Sequence, residues 1–385
     1  MKRKICVITG TRADYGILYP VMRAIQSSAQ LQLYVVVTCM HLMPEFGYTI
    51  REIERDGFPL YAKIDISYQE DSGRAIAFAL GRELSALAKT FARLKPDLVM
   101  VLGDRGEMLI AAIAANYLNI PVVHLHGGEI SGHVDGILRH AITKLAHLHF
   151  VATGQAKARV LKLGEERWRV HRVGAPALDR LKQEKLPGKK ELVKKYHLAA
   201  NESIVLLAQH PISTESDKAA WQIGQTLAAL ASLKLQTVVI YPNADAGGRR
   251  MIKVIKRNEQ NPCFQGYQSL PHKDYLGLLK IAAVLVGNSS SGLIEAPSFG
   301  LPAVNIGSRQ SGRERGINVI DVPVAKNAIR RAIKKALTDK KYLAAVKRQK
   351  NHYGDGQASR RIVRVLANVP LNKRLLEKRL IDQWK

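Results

Sequence analysis

Val99-Met-Val-Leu-Gly-Asp-Arg105 and Pro121-Val-Val-His-Leu-His-Gly-Gly-Glu129 decide the fold. Each is a short apolar run that empties into a loop crowded with acids, imidazoles and glycine, and a helical pattern over 108–118 follows the first. Apolar runs without alternation read as strands buried on both faces of a parallel sheet. Open α/β sheets place ligands at the carboxyl ends of such strands. Asp104, Arg105, His124, His126, Glu129 and Asp135 are therefore expected in one cleft. Taken singly, each is equally an ordinary solvated loop residue.

Working outward, apolar runs at 5–9, 33–37, 98–102, 122–125 and 149–152 alternate with helical patterns, the signature of a doubly wound sheet. A polar segment, 183–195, contains Pro187-Gly188-Lys-Lys and reads as a linker. A second series follows, with strands at 204–208, 237–241, 284–287 and 303–306 and helices at 218–231, 249–256, 275–281 and 292–298. The 385 residues suffice for two cores. The expectation is an α/β protein of two Rossmann-like, doubly wound parallel-sheet domains, 1–180 and 190–365, facing across a cleft.

The bulk chemistry narrows the class. The net charge is +27, and from residue 325 onward 18 Lys and Arg stand against 4 Asp and Glu. These cations interleave with apolar positions at helical spacing, as in Ile333-Lys-Lys-Ala-Leu, so they read as solvated faces of amphipathic helices; a nucleic-acid partner is not expected. No apolar run approaches the roughly 20 residues that span a bilayer. Met-Lys-Arg-Lys before Ile5–Ile8 superficially resembles a leader, but Arg12 and Asp14 interrupt it and a first strand is the better reading. Cys6, Cys39 and Cys263 are scattered, indicating neither a disulfide framework nor a zinc ribbon, and a reducing cytoplasm fits.

Three stretches carry further chemistry. Gly10-Thr-Arg-Ala-Asp-Tyr-Gly16 is not a dinucleotide fingerprint, because Arg12 and Asp14 occupy the region where a pyrophosphate needs bare backbone. Arg12 can instead grip a phosphate or serve as a structural ion-pair partner. Gly287-Asn-Ser-Ser-Ser-Gly-Leu-Ile-Glu295 predicts a hydroxyl-capped helix start suited to a diphosphate, with Glu295 within the same helix to accept from ribose hydroxyls. Gln209-His210-Pro211 and Pro242-Asn243-Ala-Asp-Ala-Gly247 sit at strand ends of the same half. Six histidines lie from His124 to His149, but no metalloprotease spacing is present; His133, His140 and His147 recur as one side of a helix would, and no metal or cofactor is expected.

Together with Leu102-Gly-Asp-Arg, the run from His124 to Gly132, Arg139-His-Ala-Ile-Thr-Lys-Leu-Ala-His147 and Gly307-Ser-Arg-Gln310, these motifs resemble, in order, the hydrolysing UDP-N-acetylglucosamine 2-epimerases of sialic-acid biosynthesis. The resemblance implies a glycosyltransferase-B arrangement with a basic C-terminal helix, 366–385, packing back on the first domain. It implies release of N-acetylmannosamine and UDP by anti elimination to 2-acetamidoglucal and syn hydration, without a cofactor. Arg12, His210, Asn243, Ser289, Ser290, Glu295 and Arg309 would hold UDP, backbone near Leu270 would meet uracil, and Arg105 would orient the sugar. Asp104, Asp135 and His210 match acid–base positions. His126 stands where many relatives carry Glu, so proton transfer falls to His126 or Glu129. The Gln-His-Arg run of the non-hydrolysing epimerases is absent, so their regulatory site is not expected. A homodimer or homotetramer is implied. The alternatives are a hydrolysing 2-epimerase of UDP-2,4-diacetamido-2,4,6-trideoxyglucose, used for legionaminic acid, a glycosyltransferase of the same fold, and a non-catalytic sugar-nucleotide-binding protein.

Overall fold

The computed structural model describes residues 2–68, 70, 72–130, 133–379 and 381. Ser131 and Gly132 of the His124 motif lie outside the described residues, as do 380 and 382–385 of the expected C-terminal helix. The chain forms two compact units. The first runs through β1 (Arg3–Thr9), α1 (Arg12–Gln26), β2 (Leu31–Thr38), α2 (Ile50–Arg55), β3 (Leu60–Ile64), α3 (Gly73–Leu94) and β4 (Leu98–Leu102). It continues with α4 (Gly106–Tyr117), β5 (Val122–Leu125), α5 (His133–Leu145), β6 (Leu148–Val151), α6 (Gly154–Lys162), β7 (Val170–Arg172) and α7 (Ala177–Gln183). All seven strands are parallel, in the order β3-β2-β1-β4-β5-β6-β7.

Strand β1 shows why its sequence is apolar throughout. Ile5 and Val7 enter one core with Leu18, Val21 and Met22 of α1, while Cys6 and Ile8 enter the opposite core with Leu87 and Phe91 of α3 and Ala111 of α4. Both faces are covered, so alternation vanishes. Each such side chain contributes roughly 1.5–3 kcal/mol on burial.

The second unit contains α8 (Lys189–Lys195), β8 (Val205–Ala208), α9 (Ala219–Ala231), β9 (Thr237–Ile240), α10 (Gly248–Asn258), β10 (Phe264–Tyr267) and α11 (His272–Ile281). It is completed by β11 (Val284–Gly287), α12 (Ser291–Ile294), β12 (Ala303–Ile306), β13 (Val319–Val322), α13 (Lys326–Thr338) and α14 (Lys340–Arg348). Its parallel sheet has the order β10-β9-β8-β11-β12-β13. On α13 the buried residues are Ile329, Ala332, Ile333 and Ala336, leaving Arg330, Arg331, Lys334 and Lys335 to solvent. The basic stretch is amphipathic helix, as its spacing predicts.

Several expectations change. The segment 183–195 is not all linker, because α8 occupies its second half and buries Leu192. Helix 292–298 is instead the four-residue α12, and a 3₁₀ turn, Ala296–Phe299, follows with Pro297 in its first positions. Proline has no N–H with which to continue an α-helix. The return to the first unit begins at Tyr353, whose carbonyl accepts from Ala175 N–H at 2.7 Å. There α15 (Ala358–Asn368) places Ile362 and Leu366 in the core beside α1, and Pro370 ends it; within 366–385 the only further described helix is the short α16 (Lys373–Leu376).

Candidate active site

In each unit the strand order reverses once, between β1 and β4 and between β8 and β11, and the candidate residues gather at the carboxyl ends of the strands around these switch points. At the first, Thr11 caps α1 through a reciprocal box: its hydroxyl accepts from Asp14 N–H at 3.2 Å and the Asp14 carboxyl accepts from Thr11 N–H at 3.0 Å. A Cβ on Gly10 would stand 2.3 Å from Glu107 Oε1, so the bare backbone lets that carboxyl lie against the loop. Arg105 Nε–H donates to Glu107 Oε1 at 2.6 Å. Burial pushes Asp14 up to about 7, with Arg105 opposing and Glu107 reinforcing the shift. Burial likewise lifts Glu83 to about 8, with the charge of Glu107 adding to it. Arg12 faces Glu52 at 3.4 Å. Arg12 and Arg105 thus have internal acidic partners in this structure.

The loop after β5 is organised by α5. Arg139 pairs with Asp104 through Nη2, and its Nη1–H donates to the His126 carbonyl at 2.6 Å. One guanidinium therefore ties the ends of β4 and β5 together, from a helix whose first turn also carries Asp135. His126 lies in the left-handed region at φ 59°, held by donation from its N–H to Phe150 O at 3.0 Å. That conformation is costly for a residue with a Cβ and persists only where surroundings over-determine it. Its Nδ1 lies 2.5 Å from Glu129 Oε1, with both side chains nearly fully buried. A carboxylate only accepts, so Nδ1 donates to Glu129, and among the described residues Nε2 has no hydrogen-bond partner.

His124 is a different case. Its Nε2 contacts Gly103 O at 2.7 Å and its Nδ1 lies 3.2 Å from Thr143 Oγ1, while burial lowers its pKa to about 3. It is a neutral fixture of the loop. His147 lies beyond the end of α5 rather than on it, and its Nδ1 accepts from Val122 N–H at 3.0 Å. The heptad spacing was a coincidence of helix and strand end. Among the described residues no group of three or more His, Cys, Asp or Glu is placed to hold a metal ion.

In the second unit Asn288 is the organiser. Its Oδ1 accepts from His210 N–H at 2.7 Å and its Nδ2–H donates to His210 O at 2.9 Å. Its own carbonyl accepts from Arg309 at 3.3 Å and Gln310 at 2.8 Å. The His210 ring is oriented by Asn243, whose N–H donates to Nδ1 at 3.2 Å, and Asn243 Nδ2–H donates to Asp245 at 2.6 Å. Ser289 and Ser290 follow Asn288 directly. Ser290 occupies the cap position of α12 without a side-chain capping bond, but Ser289 Oγ accepts from Ser291 N–H at 3.4 Å, so a serine hydroxyl does meet the helix start; the helix itself is only four residues long, and its dipole is correspondingly small. Glu295 is buried and burial raises it to about 7; among the described residues its Oε2 has no hydrogen-bond partner. Leu270 is buried in the loop between β10 and α11. The structure thus groups Asp104, His126, Glu129 and Arg139 in one unit and His210, Asn243, Arg309 and Asn288 in the other. Arg139 and Asn288, quoted within motifs but given no role by the sequence, are the two hubs; their only sequence signal is position, one turn after Asp135 and directly after β11.

Residues 23–367 match the family model described as UDP-N-acetylglucosamine 2-epimerase. A Legionella pneumophila protein described as UDP-N,N'-diacetylbacillosamine 2-epimerase (hydrolyzing) is 41% identical over 98% of this chain and 99% of its own length. The Escherichia coli polysialic acid biosynthesis protein P7 is 36% identical over 94% of this chain and 93% of its own. The crystal structure of UDP-GlcNAc 2-epimerase from Neisseria meningitidis bound to UDP-GlcNAc superposes with a TM-score of 0.78 at 19% identity, covering 94% of this chain and 99% of that one, and so shares the fold. With motifs, sheet order and near-full-length relatives in agreement, the chain belongs to the UDP-N-acetylglucosamine 2-epimerase family.

Proposed function

We propose that this protein is a hydrolysing 2-epimerase of a UDP-activated 2-acetamido sugar. The observation that carries the reading is Arg139 bonded at once to Asp104 and to the His126 backbone, with the His126 ring fixed by Glu129 and its Nε2 without a hydrogen-bond partner among the described residues. UDP leaves C1 while the proton leaves C2 from the opposite face, giving 2-acetamidoglucal; water then adds its oxygen to C1 and a proton to C2 from one face, releasing the free C2-inverted sugar. The C2 proton has no carbonyl beside it, so elimination draws on departure of the diphosphate and on charge placed for it.

In this scheme Asp104 and His126 share the proton transfers, Glu129 orients the ring, and Asp135 supplies the further carboxyl. Arg105 orients the sugar, exchanging its bond to Glu107 for substrate, and Arg12 does likewise from Glu52 toward phosphate. His210 meets the leaving phosphate with Asn243, Ser289, Ser290 and Arg309, Glu295 takes the ribose hydroxyls, and backbone near Leu270 takes uracil. With α12 so short, the arginines carry the neutralisation.

Two sugars fit this chemistry. The hydrolysing relative from Legionella, at 41% identity over nearly the whole chain, favours UDP-2,4-diacetamido-2,4,6-trideoxyglucose, and we put it first; UDP-N-acetylglucosamine, feeding sialic acid, stands second with the 36% relative in its support. Proton NMR in deuterated water with each sugar nucleotide is the test. Free UDP with a 2-epimerised sugar deuterated at C2 is the expected result, at higher kcat/KM for the diacetamido substrate. UDP binding without turnover of either would leave a non-catalytic sugar-nucleotide-binding protein.

A further inference from the structure

The chain's last described residues come back to the far end of α5, the helix that carries Asp135 and Arg139. Carbonyls at a helix C-terminus have no intrahelical donors of their own. Here Lys378 Nζ–H donates to Lys144 O at 2.8 Å, Ala146 O at 2.6 Å and, at longer range, Thr143 O at 3.3 Å. Asn116 donates to Leu145 O at 3.0 Å and Arg169 to His147 O at 3.2 Å, so the whole end of α5 is held by side chains from elsewhere. The same ammonium lies 2.8 Å from Glu165 Oε2, an oxygen that also accepts from His149 Nε2–H at 3.0 Å, while Lys144 holds Glu165 Oε1 at 2.8 Å. A cation at this end is also favoured by the helix dipole.

Lys378 is not needed to hold the tail. Arg169, fully buried, already does that by donating to the carbonyls of Arg374, Leu375 and Glu377, each at 2.8 Å, and Leu375 is buried in the core of the first unit. What Lys378 adds is a grip on α5. Thr143, whose carbonyl it reaches, donates through its hydroxyl to Arg139 O at 3.0 Å, one turn earlier. The Thr143 hydroxyl thus links the last turn of α5 to the turn that bears Arg139.

We propose that Lys378 is a positioning residue for the reaction: by fixing α5 from its carboxyl end it fixes the Arg139 guanidinium between Asp104 and the His126 carbonyl. This rests on the reading of Asp104 and His126 as the proton-transfer pair, so its test has an arm that does not need turnover. In the full chain, Lys378→Met and Lys378→Arg are compared with the parent by hydrogen exchange and by kcat and KM on whichever sugar nucleotide the parent turns over. Lys378→Met is expected to speed exchange of α5 amides selectively and to lower kcat by about tenfold or more with KM within about twofold, since displacement by 1 Å can cost on the order of 100-fold. Lys378→Arg, which can still donate to the same carbonyls, is expected to restore both. Unchanged α5 exchange with kcat within about twofold in the Met variant would overturn the proposal, as would exchange rising throughout the first unit in both variants. A parent that turns over neither sugar overturns the functional reading instead, and the α5 exchange then decides this one alone.

Discussion

His126 concentrates the unusual features at the scale of one residue: a left-handed backbone, a carboxylate on Nδ1, an arginine on its carbonyl and an open Nε2. A positioned imidazole that moves a proton contributes about 10²–10⁴-fold. His126→Ala is therefore expected to lower kcat by at least about 100-fold while UDP affinity, measured calorimetrically, stays within about twofold. Glu129→Gln keeps a hydrogen-bond acceptor for Nδ1 but removes the charge, and a smaller loss of about tenfold is expected. Nearly full turnover in His126→Ala with complete loss in Glu129→Ala would make Glu129 the acid–base group. Arg139→Lys separates charge from geometry: an ammonium cannot bond Asp104 and the His126 carbonyl in the fixed fork that guanidinium provides, so kcat should fall although the charge is kept.

The elements legible in the sequence were those buried on both faces. Strands β4, β8 and β11 and the centre of β1 announce themselves as apolar runs, and β5 and β12 as runs broken only by His124 and Asn305; the edge strands β3, β7, β10 and β13 do not, because most residues of each are incompletely buried. The loops that carry Asp104, His126 and His210 were readable for the same reason, being anchored to legible strands. What stayed hidden was pairing over distance: Arg139 reaches Asp104 across 35 positions and Asn288 reaches His210 across 78, and periodicity carries no information at that range. The Gly127-Gly128 pair, quoted in the sequence only as part of a motif, is demanded by packing. Gly128 has φ 74°, and a Cβ there would stand 2.3 Å from Ala156 O on α6. Gly128→Ala is expected to cost roughly 2–4 kcal/mol in chemical denaturation and to depress kcat by moving His126. Gly224, within α9 with nothing within 4 Å of its Cβ direction, gives the contrast: Gly224→Ala should stabilise by about 0.5–1 kcal/mol.

For the whole molecule, buried titratable groups set opposing slopes of stability against pH. Glu165 is raised by burial but more than offset by the His149 hydrogen bond and charge and by Lys378 and Lys144, ending at about 2; its stabilisation is complete above its ordinary value of 4.5 and disappears as pH falls toward 2. His41, His124 and His147 are lowered chiefly by burial, to about 3, 3 and 4, so the unfolded chain takes up protons before the folded one as pH drops below 6.5, and stability falls in the same direction. Glu83, Asp14 and Glu295 act oppositely: raised chiefly by burial to about 8, 7 and 7, they keep protons in the folded state that the unfolded chain has released, so stability falls as pH rises from about 4.5 to 8. Between 4.5 and 6.5 the two sets compete. Between 6.5 and 8 only the raised acids among these groups still change, and the unfolding free energy is expected to decline across that window. Glu83→Gln keeps the side-chain shape and removes its share, so the variant should match the parent at pH 4 and exceed it by on the order of a few kcal/mol at pH 8. Urea midpoints for the two proteins at pH 4, 6.5 and 8 measure this difference; a constant offset at all three would show that Glu83 releases its proton alike in the folded and unfolded protein, with Arg105 outweighing burial and the charge of Glu107.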